Sequence, residues 1–161
     1  MIELKTAVLI AASLKIGAIL GGSSQRDAED LYEFGRNLGI AFQLQDDLLD
    51  TYGDPAVMGK NQGTDIVDNK KTFLVIQALE SASDKQKVEL LGWLKEEKFD
   101  PKEKIKAVTV IFDALNVKEV TEKRIRDYYQ KALSNLENLN RPEERKTELY
   151  NFASFLMNRN R

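Results

Sequence analysis

Apolar residues along this chain recur at intervals of three and four positions, the spacing that places them on one face of an α-helix. No segment shows the alternation of apolar and polar residues between turns that indicates a β-strand. The pattern therefore predicts an all-α protein, a bundle of about six or seven helices within one domain of residues 1–161.

Capping residues and glycines mark the ends of the predicted helices. The pattern predicts helices at Ile2–Leu20, Ser24–Thr51, Thr72–Ser81, Ser83–Lys98, Asp100–Asn116, from Val117 through Leu139, and from Pro142 onward. Ser83 with Gln86 makes a capping box, and Asp100 followed by Pro101 is a strong start signal. Residues 51–69 are predicted to form a glycine-containing loop, and loops of this length are usually functional or disordered.

Composition and charge limit the chemistry that the chain can perform. Its residues are 42% hydrophobic and 31% charged, as in ordinary globular proteins, and a net charge of −2 offers no basic surplus for nucleic acid. Cysteine and histidine are absent, which excludes disulfides, thiolate catalysis, cysteine or imidazole metal sites and a Ser-His-Asp triad. Any chemistry must use Asp, Glu, Lys, Arg, Thr, Gln, Tyr and a bound ion.

The first predicted helix is apolar enough to raise the question of a signal peptide or a membrane anchor. Lys5 and Lys15 interrupt it, whereas a secretory core is continuous, and its uncharged run is too short to cross a bilayer. We therefore expect a largely buried helix, no transmembrane segment and a cytoplasmic protein.

Three aspartates crowd the C-terminal end of the second predicted helix. At helical spacing, Asp46, Asp47 and Asp50 share one face with Gln43. Like charges at this spacing cost about 0.2–0.5 kcal/mol per pair, and the negative end of the helix dipole adds a similar penalty. A solvated acidic face is one interpretation. The other is a site where oxygen atoms hold a hard cation, Mg²⁺ or Mn²⁺.

The segment that follows favours the metal site. Its glycines allow the backbone to approach a ligand, and Lys60 and Lys70 supply point charges for phosphate. Mg²⁺ typically uses one or two carboxylates and takes its other ligands from phosphate and water. Aspartates followed by these lysines therefore predict a metal-bridged diphosphate site.

Several strings of this sequence closely resemble the second aspartate-rich region of the trans-isoprenyl diphosphate synthases, the family of farnesyl, geranylgeranyl and longer-chain polyprenyl synthases. The strings are FQLQDDLLDTYGD, GKNQGTDI and NKKT, all between Phe42 and Thr72. The earlier string KTAVLIAASLKIGAILGG resembles the family's preceding helix, which begins with a Lys-Thr pair. The resemblance implies an isoprenoid-synthase-type helical fold and a Mg²⁺-dependent prenyltransferase.

The resemblance also implies a mechanism and a set of site residues. An allylic diphosphate binds through Mg²⁺ and ionises, and the double bond of isopentenyl diphosphate attacks the resulting cation. The implied metal ligands are Asp46, Asp47 and Asp50, the implied diphosphate ligands are Lys5, Lys60 and Lys70, and the implied catalytic residues are Lys5, Thr6 and Gln43. Thr6 and Gln43 match residues whose oxygens lie near the developing cation. Preorganised positive charge stabilises the leaving group, and a dry helical cavity keeps water from the cation.

The family's first aspartate-rich motif has no counterpart here, because Asp27, Glu29 and Asp30 have the wrong spacing and neighbours. We therefore expect residues 1–161 to be the C-terminal portion of a polyprenyl synthetase domain, from a family whose full-length members form homodimers. One alternative is a non-catalytic helical protein that binds diphosphate and metal or a partner subunit. Another is a terpene cyclase of the same superfamily, but cyclases usually carry an Asn/Asp-Ser/Thr-Glu pattern where this chain has DDLLD.

Overall fold

The computed structural model describes residues 2–54, 56 and 62–158, and every regular element in these ranges is helical. A π-helical turn at Glu3–Ala7 precedes the helices, which are α1 Val8–Leu20, α2 Gln25–Tyr52, α3 Thr64–Val67, α4 Phe73–Ser81, α5 Asp84–Lys95, α6 Pro101–Ala114, α7 Val117–Glu137 and α8 Glu143–Asn158. The prediction of an all-α protein is confirmed. No helix within these ranges is long and apolar enough to cross a membrane.

Local capping explains why most of the predicted helix starts are correct. The Asp27 N–H donates to the Ser24 hydroxyl at 3.1 Å at the start of α2. Ser83 and Gln86 form both halves of a capping box at the start of α5. The Asp100 carboxylate accepts from two N–H groups in the first turn of α6. Each of these bonds joins residues at most three positions apart, so the sequence alone could reveal them.

The predicted loop at residues 51–69 is only partly correct, because it contains the end of α2 and the short helix α3, while its residues 55 and 57–61 lie outside the described residues. Gly63, with φ 77°, turns the chain into this helix. The Asp50 carboxylate at the end of α2 accepts a hydrogen bond from the Asp65 N–H in its first turn. This cap comes from a different helix, so no local capping signal could predict it.

The chain forms two compact units. One comprises the segments up to Gln45 and from Arg124 onward, and the other is Asp46–Lys123. The buried core of the first unit consists of Phe34, Leu38, Ala132, Leu136, Leu139 and Ala153. Residues of α2, α7 and α8 thus supply most of this core.

Small residues bring the start of the chain close to α2 in the first unit. A Cβ atom placed on Gly39 would lie 2.6 Å from the Ala7 Cα, and one on Gly35 would lie 2.9 Å from the Ala11 Cα. Only glycine fits at these two positions unless the helices move apart.

The outer face of α1 is apolar and exposed. Leu9, Ile16 and Leu20 are all exposed, and helical spacing places them opposite the buried Ala11 and Ala18. The prediction of a largely buried first helix is therefore wrong for this face. The helix buries Ala11 and Ala18 and packs Leu14 against the core of the first unit, whereas its outer face stays exposed.

In the second unit, α6 contacts α3, α4 and α5. The buried residues of α6 are Lys104, Val108, Ile111 and Phe112. Ile105, on the same helix, lies against Gly63, where an added Cβ would come within 2.7 Å of its Cγ1 atom. This helix therefore supports the segment that follows the aspartates.

Candidate diphosphate and metal site

Asp50, in the last turn of α2, is anchored to the segment that follows it. The residue is 6% exposed, and its carboxylate accepts hydrogen bonds from the Thr64 hydroxyl and, at 2.8 Å, from the Asp65 N–H. The Gly63 N–H donates to the Asp50 backbone carbonyl at 2.6 Å. The Thr64 hydroxyl and the Asp65 N–H therefore offset part of the carboxylate's negative charge before any cation binds.

Lys70 brings a positive charge to the same cluster. Its ammonium donates to the Asp65 carboxylate at 2.6 Å and lies 3.8 Å from the Asp68 carboxylate. The hydrogen bond to Asp65 is the main cause of a raised pKa for Lys70, because it stabilises the protonated ammonium. The side chain is 51% exposed, which leaves its ammonium accessible to an anion.

The other two predicted metal ligands lie one turn earlier on α2, where Asp47 is buried and Asp46 is half-buried. Within residues 2–54, 56 and 62–158, no three acidic side chains are grouped so that they could hold a metal ion by themselves. The metal ligands that α2 offers are carboxylate oxygens, which suit Mg²⁺. This ion normally completes its coordination with water and phosphate oxygens. The residues therefore fit a metal ion that binds together with a diphosphate, not a closed protein cage.

The predicted polar pair meets in the first unit. The Thr6 hydroxyl donates to the Gln43 side-chain carbonyl at 2.8 Å, although 37 positions separate the two residues. Gln43 is buried and Thr6 is half-buried. Lys5 lies beside Thr6 in the π-helical turn with its side chain exposed, and the described contacts do not join it to this pair. Lys60, the remaining predicted diphosphate ligand, lies outside the described residues.

Sequence reasoning did not identify two polar groups in the second unit, the half-buried Tyr52 and the buried Lys104. The Tyr52 hydroxyl donates to the Asp113 carboxylate at 2.8 Å, and burial, followed by this hydrogen bond, raises the pKa of Tyr52. Lys104 is fully buried on α6. A signal for Lys104 does exist in the sequence, because it lies four and seven positions before the apolar Val108 and Ile111 on one helical face.

Comparison with known proteins identifies the family. The family model described as polyprenyl synthetase matches residues 1–112. A short chain isoprenyl diphosphate synthase of Methanothermobacter thermautotrophicus is 38% identical over 160 residues, which cover 99% of this chain and 48% of that protein. A geranylfarnesyl diphosphate synthase of Aeropyrum pernix is 35% identical over 151 residues, covering 94% of this chain and 46% of that protein. The chain thus spans about half the length of the curated relatives it matches.

Solved structures agree with this result. A crystal structure of a geranylgeranyl pyrophosphate synthase matches with a TM-score of 0.88 and 39% identity, over 99% of this chain and 50% of that chain. The geranylgeranyl pyrophosphate synthase of Corynebacterium glutamicum, complexed with isoprenyl diphosphate and magnesium, matches with a TM-score of 0.84 and 33% identity, over 98% of this chain and 44% of that chain. Motifs, helical fold and sequence matches agree, and the chain belongs to the polyprenyl synthetase family.

Proposed function

We propose that this chain carries the allylic-diphosphate part of a Mg²⁺-dependent prenyltransferase site, which condenses an allylic diphosphate with isopentenyl diphosphate. The observation that carries the proposal is the cluster of Asp50, Thr64, Asp65 and Lys70, in which carboxylates and an accessible ammonium converge on one short segment. The Corynebacterium glutamicum relative, complexed with isoprenyl diphosphate and magnesium, supports this class of ligand.

The proposed roles divide between metal and diphosphate. Asp46, Asp47 and Asp50 hold Mg²⁺ directly or through water, and the bound ion supplies positive charge that stabilises the departing diphosphate. Lys70 adds a second positive charge to the same leaving group, because its half-exposed ammonium lies at the Asp65 carboxylate in the same cluster. Lys5 and Lys60 are proposed as further diphosphate ligands.

Thr6 and Gln43 are proposed to stabilise the allylic cation. Thr6 directs its proton toward Gln43, so the remaining lone pairs of its hydroxyl oxygen can face positive charge. The hydrogen bond also holds the Thr6 side chain in one orientation, which makes the oxygen a preorganised dipole. Thr6→Val keeps the shape of this side chain and removes the oxygen, so it should lower the rate of condensation while diphosphate binding persists.

Calorimetric titration with Mg²⁺ and inorganic diphosphate tests the binding site. We expect heat of binding and a raised melting temperature when both are present, and much smaller effects from either alone. Asp46→Ala should abolish the rise in melting temperature. Asp30→Ala, which replaces an aspartate elsewhere on α2, should retain it. A folded wild-type sample that shows no response to the two compounds together would overturn the proposal.

One other candidate is a non-catalytic helical protein that binds diphosphate and metal or a partner subunit. An assay with an allylic diphosphate, labelled isopentenyl diphosphate and Mg²⁺ separates the two. It is run with and without a polypeptide corresponding to the uncovered half of the Methanothermobacter relative. Product in either mixture supports the prenyltransferase, and binding without product in both supports the alternative.

A homodimeric assembly and a cytoplasmic location are proposed on the family resemblance. Light scattering on the complemented mixture tests the first. Fractionation of cells that express the chain tests the second.

A further inference from the structure

The proposed chemistry leaves the position of Lys104 unexplained. The residue is 0% exposed, and lysine is almost never fully buried unless it is paired. Within the described part of the chain, its ammonium donates to the Asn69 side-chain carbonyl at 2.6 Å and lies 4.0 Å from the centre of the Phe99 ring. No carboxylate is among these partners, and burial lowers the pKa of Lys104. An amide oxygen and an aromatic face thus replace the usual counter-ion.

Asn69, the acceptor for Lys104, forms the turn that orients Lys70. It has a φ of 53°, in the left-handed region, and its N–H donates to the Ile66 carbonyl at 3.2 Å. Directly after this turn, Lys70 binds Asp65 twice, through its backbone N–H at 2.9 Å and through its ammonium at 2.6 Å. A change in the turn at Asn69 would therefore redirect the Lys70 side chain.

We propose that Lys104 is a positioning residue, which fixes the turn at Asn69 and thereby orients Lys70 and Asp65 toward a diphosphate-containing ligand. Its neighbour Ile105 supports the other end of the same segment by packing against Gly63. Helix α6 thus contacts the segment of residues 62–72 at two points, at Gly63 through Ile105 and at Asn69 through Lys104. The part of this inference that concerns the ligand rests on the proposed function, whereas the part that concerns the segment does not.

A functional role and a purely structural role predict opposite results for Lys104→Met. A buried charge without a counter-ion is costly to desolvate, so an apolar side chain of similar length removes that cost. Because Asn69 is exposed, water can take the place of the lost donor. We therefore expect an unchanged or higher melting temperature, faster amide exchange in residues 62–72, and Mg²⁺–diphosphate binding weaker by about tenfold. If Lys104 served stability alone, the substitution would lower the melting temperature and leave exchange in this segment unchanged relative to the rest of the protein.

Amide hydrogen exchange on the ligand-free chain is the deciding experiment, with Lys146→Met as the matched control. Lys146 is also buried, but it lies on α8 and pairs with Glu143, so its substitution should leave residues 62–72 unaffected. Asn69→Gly keeps the left-handed turn but removes the acceptor, and it should reproduce the faster exchange if Lys104→Met fails to fold.

Unchanged exchange in residues 62–72 for a folded Lys104→Met or Asn69→Gly protein would overturn the inference. Titration of wild type and variants with Mg²⁺ and inorganic diphosphate then tests the ligand. If the wild type does not bind, the proposed function fails, while the exchange data still decide whether Lys104 positions the segment.

Discussion

At the level of single residues, Asp50 combines a structural role with a proposed metal-binding one. Its carboxylate holds Thr64 and Asp65 without any metal. Asp50→Ala should therefore lower the free energy of unfolding by about 2–3 kcal/mol even in EDTA, because two donors lose a charged acceptor. Thr64→Val removes one donor only and should cost about 1 kcal/mol. Urea unfolding in EDTA measures both, and an unchanged midpoint for Asp50→Ala would contradict the structural role.

Tyr52 should make stability fall at alkaline pH. Its pKa is raised by burial and by the hydrogen bond to Asp113, so the folded chain keeps a proton that the unfolded chain releases above the ordinary tyrosine value of 10.0. The stabilising contribution is complete below that pH and is lost as the pH rises toward the folded-state pKa. In Tyr52→Phe the contribution is absent, so the difference in unfolding free energy between wild type and variant should shrink above this pH. Urea unfolding at neutral and alkaline pH measures that difference, and a constant difference would argue against the shift.

Which contacts could be predicted depends on how far apart the partners are in the sequence. Capping bonds such as Ser83 with Gln86 span three positions and follow from local pattern. The Asp50 carboxylate bonds to residues 14 and 15 positions away, and Lys104 bonds to one 35 positions away. Residue types at the site were predictable from chemistry and resemblance, but these partners depend on tertiary packing.

At the level of helices, hydrophobic periodicity predicted the long elements well, since each buries one apolar face. It missed α3, because a helix of four residues has no periodicity of its own and depends on Asp50 for its cap. It also overestimated the burial of α1, whose outward-facing Leu9, Ile16 and Leu20 carry the same apolar signal as core residues.

Two helical glycines should respond in opposite ways to the same substitution. Gly39→Ala should destabilise the protein by about 1–3 kcal/mol, since the new methyl group would overlap Ala7. Gly17→Ala should stabilise it by about 0.5–1 kcal/mol, because a Cβ there meets nothing within 4 Å and glycine is unfavourable inside a helix. Thermal unfolding of the two variants beside the wild type measures whether each substitution raises or lowers the stability. Equal effects would mean that the π-helical turn and α2 are not closely packed.

At the level of the whole molecule, the proposed ligands should protect one unit against amide exchange more than the other. The three aspartates, Thr64, Asp65 and Lys70 all belong to the unit Asp46–Lys123. We therefore expect Mg²⁺ with inorganic diphosphate to slow amide exchange around Asp50 and in residues 62–72 more than in α8, because ligand binding stabilises first the structure that it contacts. Uniform protection of both units, or protection of α8 alone, would place the ligand elsewhere.

The close approach of Ala7 to Gly39 also determines what a short side chain can reach. Threonine extends only one bond past its Cβ, yet the Thr6 hydroxyl meets the Gln43 amide at 2.8 Å. That span is possible because Ala7, one position after Thr6, and Gly39, one turn before Gln43, leave so little space between the two backbones. A single methyl group added at Gly39 would widen the gap and separate the two polar groups. The Gly39→Ala variant would therefore also lose the fixed orientation of the Thr6 hydroxyl oxygen, although neither Thr6 nor Gln43 is changed.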